Sequence, residues 1–287
     1  MNAVFRKLFI GELSWKRVRR SIVLIPISVY IGLFIIAWLF PNKVIFRPPF
    51  PTYADGSDVI KLRTADGETV AAKYYPNNSA TFTILFSHGN AEDIGSIEPF
   101  IFRLRDAGFS VFTYDYRGYG RSEGSPSETN TYQDIYAAYQ YLIEQHKVPA
   151  EKIILHGRSL GGGPSIELAA HERVGGLIIE SSFASVSRVL SRVRIIPFDK
   201  FDNLSKIAAI NCPLMIIHGR DDGTIPFHHG ESLFAAAKEP KRFFRVEHAG
   251  HNDLFRRAGD QYLTSLIEFA ESITADPRHD QISLDKR

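Results

Sequence analysis

The 287-residue chain holds one cysteine, Cys212, so no internal disulfide can staple it, and its stability has to come from burial and hydrogen bonding. Past residue 57 no repeat of fixed period and no low-complexity run occurs, which excludes a repeat array. A basic excess is missing from the same region. The formal charge is +2, yet residues 1–20 carry Arg6, Lys7, Lys16, Arg17, Arg19 and Arg20 against Glu12 alone, so the remainder is net negative. Nucleic acid is therefore not an expected partner. With 44% hydrophobic and 23% charged residues, the composition is that of a globular chain.

Charge is wholly absent from one segment. Ser21 to Phe40, SIVLIPISVYIGLFIIAWLF, is 20 residues without Asp, Glu, Lys, Arg or His. As a helix rising about 1.5 Å per residue it matches a bilayer core of about 30 Å. A cleaved signal peptide has a shorter apolar region and ends in small residues, whereas this one ends Ala-Trp-Leu-Phe-Pro. The expectation is an uncleaved signal-anchor helix at 21–40. Six basic residues precede it, and only Lys43 and Arg47 follow within twenty residues. The bias predicts a cytoplasmic segment at 1–20 and everything after Phe40 on the non-cytoplasmic side. Pro41, Pro48, Pro49 and Pro51 suggest a stiff linker over 41–56. A folded domain is expected over 57–273, with a polar tail at 274–287.

Within the domain, short apolar runs alternate with helically spaced stretches. Val59 to Arg63 and Val70 to Tyr75 flank Ala65-Asp66-Gly67, a hairpin signal. Six further runs occupy Phe82 to Ser87, Ser110 to Tyr114, Lys152 to His156, Gly176 to Glu180, Leu214 to His218 and Arg242 to Val246. Between them, Ile97 to Ala107, a stretch opening at Ser125-Pro126-Ser127-Glu128, Leu160 to Glu172, Gly230 to Lys238 and Asn252 to Glu271 have helical spacing. Ser125 to Glu128 has the shape of a capping box with proline at the first helical position. Alternation of this kind implies an α/β fold, a mainly parallel sheet with helices on both faces.

The glycine turn at Gly157-Arg158-Ser159-Leu160-Gly161-Gly162-Gly163 follows one such strand and opens a helix. A phosphate loop needs Lys and then Ser or Thr after its last glycine, and here Gly163-Pro164 stand there. A dinucleotide fingerprint is also lacking, because Gly118 to Gly124 is one residue too long and leads into a turn. What is present is G-x-S-x-G, the pattern that lifts a serine above a sheet on a strained strand-to-helix turn. Such a serine needs a base, and the base needs an orienting acid. In the hydrolase order Ser, acid, His, the base belongs in the turn after the last strand, where His248 and His251 lie. His251 is preferred because it stands at the start of the final helix. For the acid, Asp222 follows the penultimate strand, with Asp221 beside it and Glu180 after the preceding strand as rivals. Oxyanion donors are expected from the backbone of Leu160 and of the Ser87-His88-Gly89-Asn90 loop, most simply Asn90. Adjacent His228 and His229 cannot share a helix face, and no metal pair is expected from them.

With these residues in view, the chain resembles the α/β-hydrolase superfamily, and within it the single-span, membrane-anchored α/β-hydrolase-domain proteins akin to serine aminopeptidase-like hydrolases. The likeness spans about Tyr53 to Glu271 and is carried by FSHGNAEDIG from Phe86, VFTYDYRGYGRSEGSPSE from Val111, LHGRSLGGG from Leu155, FDNLSKI from Phe201, IIHGRDDGTIP from Ile216 and HAGHNDL from His248. It implies an α/β-hydrolase fold with a mainly parallel eight-stranded sheet, Ser159, Asp222 and His251 as a triad, and Asn90 and Leu160 as the oxyanion hole. Residues Tyr116 to Gly120 would be a scaffold loop, and Ser181 to Ile210 a short cap. The implied activity is cleavage of an acyl ester, lipid or acylated-protein substrate, with no cofactor and no metal; peptidase or amidase activity and a non-catalytic binding fold are the alternatives.

Overall fold

A computed structural model describes residues 15–190 and 199–275, apart from the side chains of Lys16, Arg17, Leu33, Ile36, Ala37 and Leu190. The polar tail from residue 276 onward and the middle of the expected cap lie outside the described residues. The chain divides into two compact units, Met1–Ile45 and Phe46–Arg287.

In the first unit, helix α1 (Trp15–Leu39) runs for 25 residues through Pro26, and α2 (Pro41–Ile45) follows with proline at its first position. Tyr30, Phe34 and Trp38 form an i, i+4 ladder on α1, with ring centroids 6.5 and 6.3 Å apart. Among the described residues no helix is long and apolar enough to cross a membrane. The expected span at 21–40 is thus helical as far as Leu39, but it is not supported as a membrane crossing by the described residues, which exclude the side chains of Leu33, Ile36 and Ala37.

The second unit is built on β1 (Ile60–Arg63), β2 (Thr69–Tyr75), β3 (Thr83–Ser87), β4 (Ser110–Tyr114), β5 (Ile153–Arg158), β6 (Gly176–Glu180), β7 (Leu214–Gly219) and β8 (Lys241–Val246). Their order in the sheet is β1-β2-β4-β3-β5-β6-β7-β8, antiparallel at β1/β2 and β2/β4 and parallel elsewhere. The strands from β3 to β7 are buried apart from Arg158 at the end of β5, which is why they read as continuous apolar runs without alternation. Ile84, Phe86, Ile154, Ile178, Met215 and Ile217 face α3 (Ile94–Asp106), α9 (Leu254–Ala258) and α10 (Asp260–Thr274) in one core. Helices α4 (Glu128–Glu144), α5 (Gly162–His171) and α8 (His228–Ala236) lie against β4, β5, β6 and β7, and the short α6 (Val186–Leu190) and α7 (Asn203–Ile207) fall between β6 and β7 in the chain. This is the α/β-hydrolase arrangement.

Three local expectations are revised. Helix α4 starts at Glu128, capped by Ser127 Oγ accepting the Asn130 N–H at 3.1 Å, and not from Ser125. Pro126 is used differently: its Cδ lies against Gly118, so closely that a β-carbon on that glycine would sit 2.8 Å away. The last helical stretch breaks into α9 and α10 at Gly259, whose φ of +56° ends an α-helix. Most relevant to the site, the second unit starts at Phe46, within the segment read as a linker. Phe46 is buried against Phe201, with ring centroids 6.1 Å apart. Beyond it, the Arg47 N–H donates to Asn90 Oδ1 at 2.9 Å and the Thr52 N–H to Asp93 Oδ2 at 2.6 Å. Tyr53 donates its hydroxyl to Asp115. Prolines suit a strap outside the sheet ladder, and its Arg47 and Thr52 N–H groups are met by side chains instead.

Candidate active site

Ser159 sits where β5 ends and a one-turn 3₁₀ segment, Ser159–Gly161, leads into α5. Its φ is +52°, a left-handed conformation that a non-glycine residue adopts only when its surroundings impose it. The glycines around it are sterically required. A β-carbon at Gly157 would lie 2.4 Å from Gly161 O, and one at Gly161 would lie 2.0 Å from Ser87 O. The turn is packed backbone to backbone against the end of β3. Ser182 Oγ donates to Ser159 O at 2.8 Å and secures it from the β6 side.

The candidate base and acid lie in the loops after the last two strands. Gly219, at the end of β7, lets the two following loops touch, since a β-carbon there would be 2.3 Å from Ala249 O. The Asp221 N–H donates to that same carbonyl at 3.0 Å. Asp222 Oδ1 accepts the Thr224 and Ile225 N–H groups at 2.9 and 2.8 Å, and this turn aims Oδ2 at His251 Nδ1, 2.7 Å away. A carboxylate only accepts, so Nδ1 carries the hydrogen and Nε2 is left to accept from Ser159 Oγ, 3.0 Å distant. Asp222 is buried. Burial alone would raise its carboxyl, but hydrogen bonds from His218 and His251 outweigh that and hold it well below the usual carboxylate range. It is therefore ionised throughout the neutral region, as an acid orienting an imidazole needs to be.

The rivals fall elsewhere. His248 and Asp221 face one another on the surface, with Nδ1 and Oδ2 3.7 Å apart and side chains 86% and 65% exposed. Glu180 is sealed in the core, where it accepts from His156 Nε2 at 2.9 Å and from the Tyr262 hydroxyl. In the loop after β3, Gly89 lies close to Ser159: a β-carbon there would be 3.6 Å from Ser159 Cβ. His88 is fully buried, its Nδ1 donating to Gly89 O at 2.8 Å while its own carbonyl accepts from Tyr116 OH at 2.6 Å. Asn90 Oδ1 accepts from Tyr119 OH at 2.7 Å as well as from Arg47 N. Tyr116 and Tyr119 thus pin this loop from beneath, which gives the Tyr116 to Gly120 scaffold its place beside the site. Phe201, at the far end of the cap region, is buried between Tyr132 and Phe183, with centroids 5.8 and 6.2 Å away.

Sequence reasoning does not assign Glu92, Arg158 or Ser182, all of which bond to the nucleophile turn or its neighbour loop. For all three, only proximity in the chain to a motif or a strand end is available as a signal, Glu92 lying inside FSHGNAEDIG two residues past Asn90.

The family model for serine aminopeptidase, S33, matches residues 78–203. Human alpha/beta hydrolase domain-containing protein 17B is 35% identical over 261 residues, covering 79% of this chain and 89% of that protein. The Caenorhabditis elegans alpha/beta hydrolase domain-containing protein aho-3 is 41% identical, covering 80% of this chain and 77% of that protein. Among solved structures, a Pyrococcus furiosus esterase superposes with a TM-score of 0.67 at 15% identity, covering 80% of this chain and 98% of its own. At that identity it speaks for the fold alone. Fold, site geometry and relatives converge, and the chain belongs to the α/β-hydrolase family.

Proposed function

We propose that this chain is a membrane-tethered serine hydrolase that cleaves acyl ester or thioester bonds by two-step acyl transfer. The observation that carries the reading is the unbroken line from Asp222 Oδ2 through His251 to Ser159 Oγ, at 2.7 and 3.0 Å, ending on a serine held at positive φ. In the first step His251 Nε2 takes the Ser159 proton as Oγ attacks the acyl carbonyl. Asp222 stabilises the imidazolium, and the N–H groups of Asn90 and Leu160 receive the oxyanion. The imidazolium then protonates the leaving alcohol or thiol. Water, deprotonated by the same imidazole, releases the acyl group and restores Ser159. The substrate class we favour is an acyl ester, lipid or acylated protein. The test is turnover of p-nitrophenyl esters together with fluorophosphonate labelling; a Ser159→Ala chain that still labels and turns over overturns the triad.

Amide cleavage is a second reading, favoured by the serine aminopeptidase description of the matching family model. Aminoacyl amides assayed beside esters separate the two. The tether rests on the sequence: Ser21 to Phe40 is without charge and six basic residues precede it. On this reading the catalytic unit lies on the non-cytoplasmic side, and a reporter fused after Arg287 that is active in the cytoplasm overturns it.

A further inference from the structure

We propose that Arg158 and Glu92 are a positioning pair that sets the oxyanion-hole loop against Ser159 and offsets the carboxylate charge beside the developing oxyanion; this rests on the serine-hydrolase reading above. Arg158 is the unassigned x before the serine of G-x-S-x-G. Its Nη2 donates to Glu92 Oε1 at 2.5 Å, and Glu92 Oε2 accepts the Gly89 N–H at 2.7 Å. One carboxylate therefore ties the residue before the nucleophile to the loop after β3. The guanidinium has little freedom: it lies 5.6 and 5.5 Å from the ring centroids of Phe86 and Phe100 and is 19% exposed.

The following peptide is fixed from the other side. The Gly89 carbonyl can only accept, so His88 Nδ1 donates to it, at 2.8 Å. In a planar trans peptide the C=O and the next N–H point opposite ways, so holding Gly89 O sets the direction of the Asn90 N–H. Glu92 and His88 thus grip the two peptides flanking Gly89, whose lack of a side chain lets Glu92 Oε2 and Ser159 Cβ come close, 2.8 and 3.6 Å from where a β-carbon would be.

This geometry has an electrostatic cost. Glu92 places negative charge beside a loop that must stabilise an anion, and Arg158 is the cation that offsets it. Removing Arg158 alone leaves the carboxylate uncompensated, whereas removing both charges leaves a neutral amide still able to accept the Gly89 N–H. A merely structural bridge gives no such asymmetry.

The test is kcat and KM on p-nitrophenyl acetate for the full chain, as wild type, Arg158→Met and Arg158→Met/Glu92→Gln, with melting curves for each. We expect Arg158→Met to lower kcat roughly 10- to 100-fold, a part of the ~10²–10³ that a lost oxyanion donor costs, with KM within about twofold. The double variant should recover most of that kcat. An unchanged kcat in Arg158→Met, or a loss that the double variant does not recover, overturns the pair while wild-type turnover upholds the serine-hydrolase reading. Wild-type protein inert to ester and fluorophosphonate overturns both. If Arg158→Met melts too low to assay, Arg158→Lys and Arg158→Gln carry the same test: lysine should keep kcat within about fivefold and glutamine should not, and equal rates overturn the proposal.

Discussion

Two histidine–carboxylate pairs lie in the same parallel sheet region, and by distance alone they are nearly alike: His251 with Asp222 at 2.7 Å and His156 with Glu180 at 2.9 Å. What separates them is the third partner. His251 presents its other nitrogen to a serine hydroxyl at the rim, while Glu180 takes a second hydrogen bond from Tyr262 inside the core. In the first pair the far side of the imidazole has a proton to move. In the second, His156 Nδ1 has no hydrogen-bond partner among the described residues and is buried beside Phe86 and Phe100, and the pair has nothing to act on. The comparison teaches that a short His–carboxylate contact marks electrostatic pairing, and that access decides whether it becomes chemistry.

Exchanging carboxylate for amide in each pair should break the symmetry most visibly. Asp222→Asn leaves the shape but favours the wrong imidazole tautomer, and ester turnover should fall by about 10⁴ with little change in melting temperature. Glu180→Gln should do the opposite. Turnover per folded molecule should stay within about twofold, while chemical denaturation should report a loss of roughly 1–3 kcal/mol from disturbed buried hydrogen bonds.

Acid sharpens the contrast further. Burial would raise Glu180, but hydrogen bonding to His156 and the nearby Arg158 charge prevail, so its folded-state carboxyl, like that of Asp222, lies below its unfolded value. Such groups contribute stability that is fully present above the unfolded carboxylate range and is lost as pH falls through the lowered folded value. Denaturation midpoints should therefore hold steady near neutrality and drop below about pH 5, with a shallower drop in Glu180→Gln than in wild type. The smallest effect belongs to the surface pair: His248→Ala should leave turnover unchanged and stability within about 0.5 kcal/mol.

Much of this was legible in the residue string. Strands β3 to β7 declare themselves because both faces are covered, and Ser159 stands inside a motif whose glycines are sterically forced. Order along the chain and turn position favour His251 over His248. The rest depended on distances that no local pattern encodes. Glu180 competes with Asp222 on strand position and is removed only when Tyr262, 82 residues onward, closes over it. The Ser125 capping box gives way to Ser127, whose hydroxyl caps the helix at Asn130, and the Glu92–Arg158 bond joins residues 66 apart.

The strap from Phe46 to Tyr53 bears on where this enzyme can be cut. Proteolysis or truncation at residue 57 removes the Arg47 N–H from Asn90 and the Thr52 N–H from Asp93, the N-cap of α3. A chain shortened to begin at Phe46 retains both bonds. The choice of first residue in a recombinant preparation is thus also a choice about how firmly the loop beside Ser159 is held.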